Sequence, residues 1–169
     1  MARGTALITG ASSGIGEAFA RLFAREGFNL ILTARSEDKL KSLSESLDGV
    51  ETELVIADLS EAQGIEKLIK EVEEKDKEVD VIVNNAGMTT EGPFHELREQ
   101  EIERTLTLNM AATVKITHHF IKAMKKRGRW LSGKRPHAII FIYSLLMTGL
   151  AITIWRVAIQ PSGMNCNVH

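Results

Sequence analysis

Thr9 to Gly16 read TGASSGIG, directly after the apolar run Thr5-Ala6-Leu7-Ile8 and directly before a stretch with helical spacing, Ala18, Phe19, Leu22 and Phe23. A strand, a glycine turn and a helix start, in that order, form the geometry that holds a dinucleotide pyrophosphate, because unpaired N–H groups at a helix N-terminus attract phosphate oxygens. Gly10 can take a positive φ in the tight turn, Gly14 lets the backbone approach the phosphates, and Gly16 lets the first helix close on the sheet. The spacing departs from the G-x-G-x-x-G fingerprint. It is the strand, turn and helix context that carries the reading.

The adenosine ribose of such a cofactor is read at the end of the second strand, where an acid selects NAD through the 2′-hydroxyl and a basic residue accommodates the 2′-phosphate of NADP. Here that segment is ILTARS, with Ala34 where the acid would stand and Arg35 beside it. A planar guanidinium binds a phosphate by two parallel, charge-assisted hydrogen bonds, so the expectation is NADP(H) over NAD(H). The alternative for Arg35 is a surface arginine in a βα loop.

The glycine spacing resembles that of the short-chain dehydrogenase/reductase family, and further matches follow in the expected order. Asp58-Leu59 follows the third strand, Asn84-Asn85-Ala86-Gly87 the fourth, and Asn109 lies in the next helix, in ERTLTLNMAA. They cover residues 1 to about 127, with a weaker match to Ser144. The resemblance implies cofactor contacts from Gly10, Ser12, Ser13, Gly14, Ile15, Gly16, Arg35, Asp58, Leu59, Asn85, Ala86 and Gly87. Asp58 would lie by the adenine, or would close the turn before Ser60, or both. Asn84 reads as structural, its amide satisfying loose backbone groups at a strand end, the alternative being a contact to the ligand.

In that family, hydride passes between the nicotinamide and a carbonyl or alcohol carbon while a tyrosine carries the proton. A lysine tunes the tyrosine, a serine holds the substrate oxygen and an asparagine holds a relay water. Asn109 matches the asparagine, the alternative being a helix asparagine bonded to backbone, and Ser144 stands where the serine would. The tyrosine and lysine have no counterpart: the tyrosine's place carries Val157, Tyr143 is the only tyrosine and is followed at the lysine spacing by Met147, and the last lysine is Lys134. General acid catalysis is typically worth about 10²–10⁴-fold, so little or no turnover is expected. The second function consistent with these residues is a nucleotide-binding fragment or regulator without chemistry. The substrate, a small carbonyl or alcohol compound in the family, is not legible.

These residues need a scaffold. Short apolar runs near 4–9, 28–33, 52–57, 79–83 and 138–143 alternate with amphipathic stretches near 14–26, 37–48, 61–76, 98–110 and 112–127, the last two as separate helices or one rod. This is the pattern of βαβ units. It predicts an α/β Rossmann-like doubly wound parallel sheet of five strands in order 3-2-1-4-5, with the crevice where the first and fourth strands diverge. Ser60 with Gln63 offers a capping box for the third helix. The run Glu71 to Asp80 reads as that helix's solvated end.

The expected organisation is a nucleotide-binding domain over 1–144 and an atypical tail over 145–169, the family's later strands missing. A truncated or frame-shifted reading of an intact gene would produce such a tail, and so would a genuine short variant. At 169 residues with a net charge of −1, the chain has no basic stripe to suit nucleic acid. The single cysteine, Cys166, and the lack of a signal segment suit the cytoplasm. Ala138 to Trp155 is uncharged over eighteen residues. It reads as a strand buried on both faces, with Ser144, Thr148, Gly149 and Thr153 diluting the rest, rather than as a membrane span. His118 and His119 are adjacent and point about 100° apart on a helix, so no metal site is expected. The apolar faces of helices 98–127 suit a homodimer, as in the resembled family.

Overall fold

In the computed structural model, residues 2–127 and the strand segments 138–142 and 154–157 are described. The chain alternates strand and helix: β1 (Thr5–Thr9), α1 (Gly14–Arg25), β2 (Asn29–Ala34), α2 (Glu37–Glu45), β3 (Thr52–Ile56), α3 (Ala62–Glu74) and β4 (Val81–Asn84). A helical rod follows, made of α4 (Glu99–Leu106), a π-helical turn over Thr107–Ala112 and α5 (Thr113–Lys126). The two helices expected near 98–110 and 112–127 are thus one rod. The last strands are β5 (Ala138–Ile142) and β6 (Ile154–Val157).

The sheet runs β3-β2-β1-β4-β5-β6. Its first five strands are parallel and take the 3-2-1-4-5 order that right-handed crossovers dictate. Leu7 pairs with Ile31 of β2 and Ile82 of β4. The sheet is longer than the five strands expected. β6 returns antiparallel along β5, pairing Ile139 with Val157 and Ile142 with Ile154. A fifth strand left as an edge exposes a row of unpaired backbone groups, and a β-branched segment close behind it in the chain can satisfy them.

Side chains alternate between the two faces of the sheet, as the period of a strand requires. Leu7, Ile31, Val55 and Ile82 pack with Ile65, Leu68 and Val72 of α3 and Ile116, Phe120 and Met124 of α5. Ala6, Ile8, Leu30, Leu32, Val81 and Val83 pack on the other face with Ala20 and Ala24 of α1 and Leu40 and Leu43 of α2. Both faces are covered, which explains why the strands read as continuous apolar runs.

Two local expectations are corrected. Ser60 does not cap α3: the N-cap is Glu61, without a side-chain cap, because the Ser60 hydroxyl is bonded to Asp58 instead. The run Glu71 to Asp80 is not wholly a solvated helix end, since α3 stops at Glu74 and Asp80 is buried beside β4, its Oδ2 accepting the Thr5 N–H at 3.0 Å. Among the described residues no helix is long and apolar enough to cross a membrane.

Candidate functional site

The C-terminal ends of β1 and β4 lie side by side, which brings the glycine loop against the Asn84-to-Gly87 segment across some seventy-five residues of chain. Thr9 is the clasp. Its hydroxyl oxygen accepts the N–H groups of Asn85 and Ala86, each at 3.0 Å, and donates to the Val83 carbonyl at 3.4 Å. The Asn85 amide returns the contact by donating to the carbonyls of Thr9 and Gly10, each at 3.1 Å.

Gly14 opens α1 at φ +57°, and a Cβ added there would meet nothing within 4 Å. The space over the helix start is open. The first intrahelical bond of α1 joins the Glu17 N–H to the Ser13 carbonyl, and no side chain caps the helix. The N–H groups of Gly14, Ile15 and Gly16 therefore precede the hydrogen-bond ladder and point where an anion would lie. Gly16 serves another purpose: a Cβ there would overlap the Gly10 carbonyl and the Asn85 amide, so the helix could not close on the loop. These features fit a nicotinamide dinucleotide, whose pyrophosphate the helix start would take. Ser13 and Ile15 are exposed beside this space and Ser12 is half-buried.

At the neighbouring strand end, Ala34 is buried and Arg35 projects with its side chain 70% exposed, its Nη1 4.0 Å from Asp58 Oδ2. Asp58 closes the turn after β3. Its Oδ1 accepts the Ser60 N–H at 3.0 Å and the Ser60 hydroxyl at 2.7 Å, and its Oδ2 accepts Arg104 Nη2 at 2.9 Å. Burial pushes this carboxyl up, but the Ser60 hydroxyl and N–H, with Arg35 and Arg104, outweigh it and hold the group below the usual aspartate value. Leu59 has its side chain in the core with Ala57 and Ile65, so only its backbone faces the turn.

Asn84 is buried and donates to the Thr117 hydroxyl at 2.9 Å, so its amide fastens β4 to α5 through a side chain rather than through the backbone groups expected. Asn109 lies in the π-helical turn. Its side chain donates to the Met88 carbonyl at 2.8 Å and accepts the Met88 N–H at 3.0 Å, directly after Gly87. Such turns recur at functional sites. Tyr143 and Ser144 lie outside the described residues.

Three participants escaped the sequence reading. Thr9 opens the motif but its acceptor role is visible only once β4 is alongside. Arg104 reaches Asp58 from forty-six residues away, with no local signal. Gly64 had one: a glycine inside a helix costs about 1 kcal/mol relative to alanine. It is there because a Cβ would overlap the Asp58 carbonyl, so α3 packs directly on the Asp58 backbone.

A doubly wound parallel sheet with a glycine loop leading into an uncapped helix at its crevice defines a Rossmann-type dinucleotide-binding protein. The comparisons narrow the class: the family model for short chain dehydrogenase matches residues 4–148, and the chain belongs to that family. The chain is 36% identical over 125 residues to oxidoreductase UcpA of Salmonella typhimurium, covering 73% of this chain and 47% of the relative. It is 35% identical over 129 residues to the human inactive hydroxysteroid dehydrogenase-like protein 1, covering 73% of this chain and 39% of the relative. Among solved structures, a short-chain dehydrogenase from Sphingobium yanoikuyae in complex with NADPH superposes with a TM-score of 0.69 at 35% identity, over 74% of this chain and 50% of that one. The chain thus spans about half the length of such relatives or less.

Proposed function

We propose that this chain binds NADP(H) in preference to NAD(H), and that with the residues it carries it transfers hydride weakly or not at all. The observation that carries the first part is the pairing of an open, uncapped helix start at Gly14 with an adenosine edge holding Arg35 and no acid at Ala34. When bound, the nicotinamide supplies or accepts the hydride. Gly10, Ser12, Ser13, Gly14, Ile15 and Gly16 would hold the pyrophosphate, Arg35 the 2′-phosphate, Asp58 and the Leu59 backbone the adenine, and Asn85, Ala86 and Gly87 the ribose side.

The second part rests on chemistry. Reduction of a carbonyl, or oxidation of a secondary alcohol, needs a group that delivers or removes a proton at the oxygen. Asn109, bound to Met88, and Ser144 supply positioning in this reading. No Tyr-x3-Lys pair stands where the family places one. The human relative whose name marks it inactive supports the same view. Cytoplasmic residence and pairing of two copies through the rod at 99–126, where Leu106, Met110 and Val114 are exposed, belong to this proposal, as does the division into a binding domain over 1–144 and a tail.

NADPH oxidation against a panel of ketones and aldehydes, run beside a cofactor titration, tests both parts. Saturable NADPH binding with no substrate-dependent oxidation is expected. Rapid turnover would overturn the second part, and failure to bind either cofactor the first.

A further inference from the structure

Asp58 presents an ionised carboxylate with about four acceptor positions. Three are filled from within the chain: the Ser60 N–H and hydroxyl occupy Oδ1, and Arg104 Nη2 occupies one side of Oδ2. Two guanidiniums face that second oxygen, Arg104 at 2.9 Å and Arg35 at 4.0 Å. Arg104 is the one that holds it. The same Arg104 nitrogen also donates to the Ser60 hydroxyl at 2.8 Å, and its Nη1 lies 3.6 Å from Glu61. Its position is fixed from three directions, while Arg35 extends into solvent from the end of β2.

Charge-assisted bonds between guanidinium and carboxylate are among the strong ones. Without Arg104, both acceptor positions of Oδ2 would stand open, and Arg35, already ion-paired with it at 4.0 Å, is the cation among the described residues that would close to hydrogen-bond distance. An Arg35 drawn in that way from a loose ion pair to hydrogen-bond distance would have to break a charge-assisted bond before it could bind a 2′-phosphate. NADH, which has no such phosphate, would never meet that cost.

We infer that Arg104 is a positioning residue for cofactor selection: by hydrogen-bonding Asp58 Oδ2 it leaves Arg35 in no more than a 4.0 Å ion pair with that carboxylate, from which the guanidinium can turn to the 2′-phosphate of NADPH. This rests on the reading of Arg35 given under the proposed function. Arg104 itself touches no cofactor atom in this account, and its effect is confined to the ratio of the two affinities.

Calorimetric titration of NADPH and NADH against the intact chain, Arg35→Ala, Arg104→Ala and the double variant separates the two claims. Arg104→Ala is expected to weaken NADPH about tenfold, the equivalent of one modest charged hydrogen bond, and to leave NADH within about twofold. In the Arg35→Ala background the same change should add no further NADPH-specific loss, as a coupled pair requires. Arg104→Gln, which keeps the side-chain stem without the charge, must give the same selective loss if the alanine variant does not fold. Equal losses for the two cofactors on replacing Arg104, or a selective loss that persists in full without Arg35, would overturn the inference alone. Equal losses on replacing Arg35 would overturn the underlying reading and the inference with it.

Discussion

Thr9 and Asn85 bond each other twice, the Thr9 hydroxyl accepting the Asn85 N–H at 3.0 Å and the Asn85 amide donating to the Thr9 carbonyl at 3.1 Å. This exchange fixes the glycine loop to the segment after β4. Thr9→Val keeps the shape and removes the oxygen. It should lower unfolding free energy by about 1–3 kcal/mol, the cost of leaving such donors unpaired. Thr9→Ser should restore most of it. Urea denaturation measures both, and equal stability of Thr9→Val and the parent would show that the clasp contributes nothing.

Gly14 and Gly16 make a contrasting pair. Gly14→Val places a β-branched residue at φ +57° in open space, so the fold should lose only about 1–3 kcal/mol of backbone strain while binding of either cofactor is abolished. Gly16→Ala drives a Cβ into the Gly10 carbonyl and the Asn85 amide. That change should damage the fold itself, by about 3 kcal/mol or more of overpacking, because the atom it meets is a backbone carbonyl that no flexible side chain can move aside. Melting curves with and without NADPH distinguish them. Unchanged affinity in Gly14→Val would place the phosphate loop elsewhere.

Asp58 titrates below the ordinary aspartate value because Ser60, Arg35 and Arg104 outweigh its burial. A carboxyl whose folded-state pKa is depressed stabilises the protein above its unfolded pKa, near 3.9, and loses that contribution as pH falls through the lower folded value. The stability gap between the parent and Asp58→Asn should therefore be constant above about pH 5 and shrink below about pH 4. Denaturant midpoints from pH 3 to 7 follow it. A gap that widens on acidification would contradict the assigned direction.

Asn109→Ala removes both bonds to the Met88 backbone. The expected loss is about 1–3 kcal/mol of stability, with a selectivity between NADPH and NADH like that of the parent, since Arg35 is not involved. A changed cofactor ratio would mean that the rod communicates with the adenosine edge.

The strand order was legible because strands buried on both faces read as apolar runs, and TGASSGIG marks the crevice. What was not legible is what depends on distant chain. Ser60 and Gln63 match a local capping rule, but the Ser60 hydroxyl is drawn instead to Asp58, which Arg104 holds from α4. Asp80 looks like one more charge in a polar run until Thr5 is found donating to it. The order 3-2-1-4-5 already leaves β5 as an edge, but the antiparallel return of β6 along it is seen only in the assembled sheet.

The central claim is that Arg35, unopposed by an acid at Ala34, makes this chain a binder of NADPH. Titrating NADPH and NADH against the parent and Arg35→Ala tests it most directly. The account predicts tighter NADPH binding to the parent, and an Arg35→Ala loss of about 1.5–3 kcal/mol for NADPH with NADH nearly unchanged. Equal losses for the two cofactors, or a parent that prefers NADH, would contradict it.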